Sequence, residues 1–487
     1  MMGGVRMRKF AAALIVCVLF LCCILPAAVA EQSQKAGDYT YIIQHDGTAE
    51  IILYEGTETS LVIPQELNGI KVTAIGPSAF QADDYLEELE IKDGLVSLGD
   101  YAFRRCANLE KVSLPATLTV VGMNPFEGCA WLTDMTVAEG NPNLYLNDGV
   151  LFSRDDSRLI CYPMTKEYSA YTLPDGTRII GASAFYGNES LAQVVVFDSV
   201  RAIGRRAFYQ CDNLRYINLH DTNISTVGAD AFNGCRKLKS ITFPAKVTSI
   251  AERAFQDCTA LTELVFPENI TFIGEIAFRN CESLTSVRLP VDLTTIGKNT
   301  FAGCTNLTEL ILPDELFYIG GGAFQNCESL ASVTLPAAVD YIGSEAFDGC
   351  ISLTNVSIPD TCSFIGAKAF CRCQSLQSMV MPSWTYSINP FTFSGCIALT
   401  DIRLPDDLEE IGESAFFCCY TLKEIVIPDP VEVIGDKAFS NCLALESIEL
   451  PEELENVGPD AFENCVKLDL PDLSDLYEES NFDRIGV

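Results

Sequence analysis

Cysteine is the side chain with the most chemistry to offer in this sequence, and its spacing limits what that chemistry can be. Fourteen of the 21 cysteines sit three residues after a Phe: Cys106, Cys129, Cys211, Cys235, Cys258, Cys281, Cys304, Cys327, Cys350, Cys373, Cys396, Cys419, Cys442 and Cys465. Thiols can act as nucleophiles, pair as disulfides or hold a metal. Stacked once per repeat at roughly 4.8 Å, neighbours would fall within the Cα separation that a disulfide accepts, but parallel side chains disfavour its dihedral angle. No Cys-x-x-Cys pair or His partner supplies a zinc-like set. A column of buried free thiols filling a tight turn suits a residue type that is among the most often buried. Disulfides and metal binding stay open beside that reading. Cys371 and Cys418, one and two residues after Phe370 and Phe416, are the better candidates for reactive thiols.

Other catalytic constellations are missing. The only histidines are His45 and His220, far apart in the chain. They give no His-based triad or His-rich metal site. There is no glycine-rich phosphate loop and no Asp-x-Asp-x-Asp-Gly calcium loop. Paired acids such as Glu87-Glu88 and Glu409-Glu410 are expected to be solvated surface rather than a glycosidase pair. The sequence therefore predicts a non-enzyme with no catalytic residue, no cofactor and no metal, and the chemistry left to it is binding.

The elements that position these residues are set by a period. Phe recurs at 232, 255, 278, 301, 324, 347, 370, 393, 416, 439 and 462, ten consecutive intervals of 23 residues. The stretch Leu261 to Cys281 shows the unit: Leu-x-x-Leu-x-Phe-Pro, a turn, Ile-Gly, then Ala-Phe-x-x-Cys. This apolar spacing at a period in the twenties is the signature of a leucine-rich repeat solenoid. About nine of the 23 positions face inward. They contribute roughly 2 kcal/mol each if buried, against roughly 1.5 kcal/mol of ordering cost for every residue of the unit. One unit alone does not fold. Stacking buries each apolar column against its next copy, and the ends need caps.

Within the unit Leu-x-x-Leu-x-Leu is the strand, and Pro244, Pro267, Pro290 and Pro313 remove a donor where its ladder should stop. Gly274, Gly297, Gly320, Gly343 and Gly366 mark a point where either positive φ or close backbone stacking excludes a Cβ. Ala251 and Asn389 replace that glycine in two coils. Asn389-Pro390-Phe391, near Trp384, makes the most irregular coil.

Residues 1–30 have a basic start, an apolar run and a small-residue end at Ala28-Val29-Ala30, which predicts a secretory signal peptide cleaved after Ala30. Residues 31–73 read as an N-terminal β cap, with a hairpin turn at His45-Asp46-Gly47. Three repeats fill 74–137, anchored by Phe80, Phe103 and Phe126. The period then breaks, and 138–176 reads as a hairpin insertion. Thirteen repeats occupy 177–471, and 472–487 is an acidic tail. The fold class predicted is an α/β-type repeat protein: a curved solenoid with short parallel strands on its concave face.

Lys and Arg number 32 against 66 Asp and Glu, for a net charge of −34; removal of Arg6, Arg8 and Lys9 with the leader gives −34 − 3 = −37. Such a surface repels nucleic acid and anionic membranes, whose affinity depends on basic contacts. A membrane would be engaged only through an uncleaved leader.

The motif Leu-x-x-Ile/Val-x-Leu-Pro-x-x-Val/Leu-x-x-Ile-Gly-x-x-Ala-Phe-x-x-Cys resembles the BspA-like, or Treponema-type, leucine-rich repeat family over about residues 60–471. The segment with Asp148-Gly149-Val150-Leu151-Phe152 and Tyr162-Pro163 looks like that family's as well. The resemblance implies a bacterial surface or secreted protein that adheres to extracellular-matrix proteins, host cells or other bacteria. It carries over no catalytic motif.

The expected platform is the outward column of the concave strands: Asn218, Thr242, Val265, Arg288, Ile311, Thr334, Ser357, Val380, Arg403 and Val426. The column is mixed, without the aromatic cluster that marks interface hot spots. The function predicted is exported, non-enzymatic binding of an extracellular or cell-surface protein or glycoprotein. The alternatives are a self-assembling component of the cell envelope and, more distantly, an envelope glycan hydrolase.

Overall fold

The computed structural model describes residues 32–452 and 454–469. The predicted signal peptide and acidic tail lie outside the described residues. The chain divides into two compact units between Gly149 and Val150.

Each coil contributes two short strands, which pair in parallel with their counterparts one repeat later in ladders of two or more coils. The first is the Leu-x-x-Leu segment. In it Ser240–Thr242 pairs with Glu263–Val265, and Ser286–Arg288 with Glu309–Ile311, at the repeat period. The second is the dipeptide before the Gly position: Thr295–Ile296, Tyr318–Ile319, Tyr341–Ile342 and Phe364–Ile365 form one parallel ladder. The inward residue of each strand is apolar, and its outward neighbours reach solvent, as a period of two requires.

The α/β part of the predicted class is corrected: among the described residues there is no helix. The Ala-Phe-x-x-Cys segment is a run of turns that alternates left- and right-handed backbone. In the coil of Phe278, Ile276 (φ 62°) and Asn280 (φ 58°) are both left-handed. Their N–H groups and that of Phe278 donate to the carbonyls of Lys298, Ala302 and Thr300 in the following coil, at 2.7–2.9 Å. Intervening N–H groups close turns within the coil, as from Cys281 to the Phe278 carbonyl. A helix would turn every N–H along its own axis and leave the neighbouring coil unbonded. Left-handed backbone costs an L-residue roughly 1–2 kcal/mol. Here the inter-coil hydrogen bonds offset that cost, which is why Ile276, Glu345 and Phe391 tolerate it.

The glycine column is explained by stacking rather than by positive φ. A Cβ on Gly274 would lie 2.5 Å from the Glu252 nitrogen, and one on Gly366 would lie 2.4 Å from the Ser344 nitrogen. Where Asn389 replaces glycine, its Nδ2 donates to the Ile365 carbonyl at 2.7 Å. That side chain takes over a ladder bond which in other coils comes from the glycine N–H, as from Gly366 to Ile342.

The two units begin alike. In the first, Tyr39–Ile43 and Ala49–Tyr54 form an antiparallel hairpin, and the second of these strands pairs in parallel with Ile70–Ile75. In the second unit, Val150–Ser153 and Arg158–Cys161 form the hairpin, and the latter strand pairs in parallel with Ile179–Ile180. A tyrosine at the end of each hairpin, Tyr54 as the last residue of its strand and Tyr162 just after its own, leads into the ring stack: Tyr54 lies 4.9 Å from Phe80, and Tyr162 lies 4.9 Å from Phe185. From there the anchor phenylalanines run as fully buried stacked rings, as at Phe185–Phe208 (4.8 Å) and Phe347–Phe370 (5.5 Å).

Candidate binding surface

The cysteine column is part of the core. All fourteen are buried, and they are thiols rather than disulfides. Each donates its S–H to the carbonyl of the anchor Phe one coil earlier, for example Cys211 to Phe185 at 3.0 Å and Cys304 to Phe278 at 3.4 Å. Burial pushes the Cys304 and Cys350 thiols up to about 12, away from the thiolate that nucleophilic chemistry needs. The first coil of each unit carries an Asx residue at this position. Asp83 accepts N–H bonds from Tyr85 and Leu86, and Asn188 accepts them from Ser190 and Leu191. Cys371 is half-buried, and burial with the nearby Asp348 raises its pKa to about 11. Cys418 occupies a left-handed position (φ 62°) of its turn.

The first-strand face is where the expected platform lies. The register sets Thr242 beside Val265, Arg288 beside Ile311, Thr334 beside Ser357 and Val380 beside Arg403. Val426 stands beside Glu449. These residues are exposed except Ile311, which is half-buried. Asn218 is placed differently: its side chain accepts from the Val196 N–H (2.8 Å) and donates to the Val196 carbonyl (2.9 Å). It completes the ladder and has little left to offer a ligand.

Two recesses open on first-strand residues. One of about 280 Å³ joins Val380 and Arg403 to Asp360, Ser383, Asp406 and Asp407, with Asp360 accepting from Ser383. The other, of about 500 Å³ in the first unit, includes Gln65, Glu90, Lys92, Asp93, Ser113 and Thr136. Neither set of flanking residues appears in the platform read from sequence. Their signal was present in the Pro359-Asp360 and Pro405-Asp406-Asp407 turns that follow the strands.

A second surface was missed altogether. In the second-strand ladder Tyr318, Tyr341 and Phe364 stack face to face, with centroids 4.8 and 4.7 Å apart and planes 12° from parallel in both pairs. Phe317 and Tyr386 flank them with 46% and 49% exposure. The absence of aromatics holds for the first-strand column only.

The family model for the BspA type leucine rich repeat region matches residues 59–148, 161–284, 225–354 and 340–469. The chain belongs to that family. Among solved structures, this BspA-type chain is similar to a leucine-rich repeat protein from Bacteroides ovatus, at 25% identity over 91% of this chain and 96% of that one, with a TM-score of 0.55. It is also similar to a leucine rich cell surface protein from Faecalibacterium prausnitzii, at 24% identity over 86% and 94% of the two chains, with a TM-score of 0.35. A leucine-rich repeat protein from Eubacterium ventriosum matches at 18% identity over 66% and 94%, with a TM-score of 0.42. No curated protein matches the chain.

Proposed function

We propose that the BspA-type chain is an exported, non-enzymatic binding protein that engages an extracellular or cell-surface protein or glycoprotein through its first-strand face. The observation that carries this reading is the register. It aligns exposed, varied side chains into one column on a backbone whose inward side chains and turns are already committed to the core. Substitution there changes recognition without changing the fold, the property that repeat proteins use for binding. Mixed polar and β-branched residues over many coils favour a broad contact in which many weak interactions add. Family membership supports the binding role, and residues 1–30 support export.

The test is binding of the purified, leader-free chain to matrix glycoproteins, glycans and bacterial cells at physiological salt. A saturable interaction lost on Arg288→Glu with Arg403→Glu is the expected result. Binding to the whole panel that is unchanged by that double substitution would overturn the assignment of the face.

A further inference from the structure

Charge is distributed unevenly in the second unit. Residues 178–253 carry ten Lys and Arg against six Asp and Glu, a net +4, whereas 254–469 carry nine against 32, a net −23. The outward side of the second-strand ladder follows this division. Its leading column opens with exposed Arg178 and Arg201. Small hydroxyl residues occupy the next four coils, from Ser225 to Thr294. Phe317, Asp340, Ser363 and Tyr386 follow, in coils whose companion column adds Tyr318, Tyr341 and Phe364, and the column closes on Glu409, Glu432 and Glu455.

Counted from Arg178 to Glu455, this column spans thirteen coils, and the seventh carries Phe317 and Tyr318. A two-fold axis through that coil, with the ladders antiparallel, sets Arg178 opposite Glu455 and Arg201 opposite Glu432. In the companion column it sets exposed Phe272 opposite exposed Phe364, and Tyr318 opposite itself. At its two ends and at its centre the face is complementary to its own reverse, as an isologous contact demands, and the coils between bring hydroxyls opposite acids, Tyr386 or Ser363, as with Thr294 and Asp340. The result is aromatic at the centre and charged at the rim, the anatomy of a specific interface.

We infer that the second-strand face pairs with the same face of a second copy of this chain, giving an antiparallel two-fold dimer centred on Phe317 and Tyr318. Pairing there leaves the first-strand face of both copies open. Two such faces in one particle multiply the avidity of weak contacts. The inference stands whether or not the first-strand face binds a ligand.

Sedimentation equilibrium of the full chain, expressed with its leader and purified as the cell delivers it, tests this. A mass of two chains, weakening as salt rises, is expected. Arg178→Glu with Arg201→Glu should weaken association at least about tenfold through like-charge apposition. Adding Glu432→Lys and Glu455→Lys to that variant should restore the dimer. Phe317→Asp, at an exposed position, should give a folded monomer by circular dichroism. A wild-type chain that stays monomeric at about 100 µM overturns the inference, since even a Kd of order 1 µM would pair nearly all of it. So does a dimer indifferent to Phe317→Asp, or a monomeric chain whose face instead takes up poly-lysine in a Phe317-dependent way.

Discussion

The two exposed ladders of a coil share one core yet use it differently. Along the first strands the outward column changes character from coil to coil: Thr242, Val265, Arg288 and Ile311 follow one another with no trend. Along the second strands like residues gather: bases head the leading column, hydroxyls fill the next four coils and acids close it, while the aromatics are shared between the two columns of the four coils from Phe317 to Tyr386. Both columns point to solvent, so neither pattern is imposed by packing. A varied column suits recognition of an irregular partner, and a graded one suits a partner with the opposite gradient. Two surfaces with separate duties can therefore share one repeat, because the fold draws only on the inward residues and the turns.

The most severe test of this picture removes the core beneath both faces. The ladder thiols from Cys211 to Cys419 have folded pKa values raised above an ordinary value of 9.0 by burial, with Cys304 and Cys350 at about 12. Their contribution is fully present below pH 9 and is lost as pH rises toward 12, because the unfolded chain releases protons that the folded chain retains. Each such thiol costs about 1.4 kcal/mol per pH unit in that window. Cooperative unfolding followed by circular dichroism is expected between pH 9 and 11. Survival of native signal at pH 12 would mean that the thiols are not buried as described.

Gly366→Val is the sharpest single substitution. Its Cβ would collide with the Ser344 backbone, which cannot move without its neighbours. A loss of about 3 kcal/mol or more is expected in urea denaturation, with both faces disrupted together. Arg372→Met lies on neither ladder. It takes the charged partner from Asp348, whose side chain is 7% exposed and bonded to Arg372 at 2.7 Å, leaving Gln325 as a neutral donor at 3.1 Å. With the arginine itself half-exposed, about 2 kcal/mol is expected.

Smaller changes separate the faces. Tyr341→Ser breaks the stack at its half-buried centre and should cost about 1 kcal/mol while leaving the affinity of a single first-strand face for its ligand unchanged. Arg288→Glu with Arg403→Glu should do the reverse: stability within about 0.5 kcal/mol of wild type, with ligand binding lost. If each variant moved both readouts, the two faces would not be independent.

Much of this was legible in the residues. Phe, Cys and Gly recur at fixed spacing because each occupies a place where only its shape fits every coil. Even the exceptions carry information, since Asp83 and Asn188 at the thiol position mark the two first coils. The outward placement of the first-strand column followed from strand alternation, whereas the bonds of Asn218 back to Val196 could not be read from it. The second-strand aromatics repeat at the same period and could have been seen, but a dipeptide before glycine gives no alternation from which to infer an outward side.

What the sequence determined by itself was the repeat, its inward columns and the family, because burial against an identical neighbour forces identity at every period. What only the tertiary structure decided was the backbone of the Phe turns, the reason for glycine and the direction of each thiol. Those depend on hydrogen bonds and close contacts to residues about 22 to 27 positions away, which no local preference encodes. An Ile in left-handed backbone is unfavourable by its own chemistry. It is held there because the next coil presents a carbonyl at hydrogen-bond distance from its N–H.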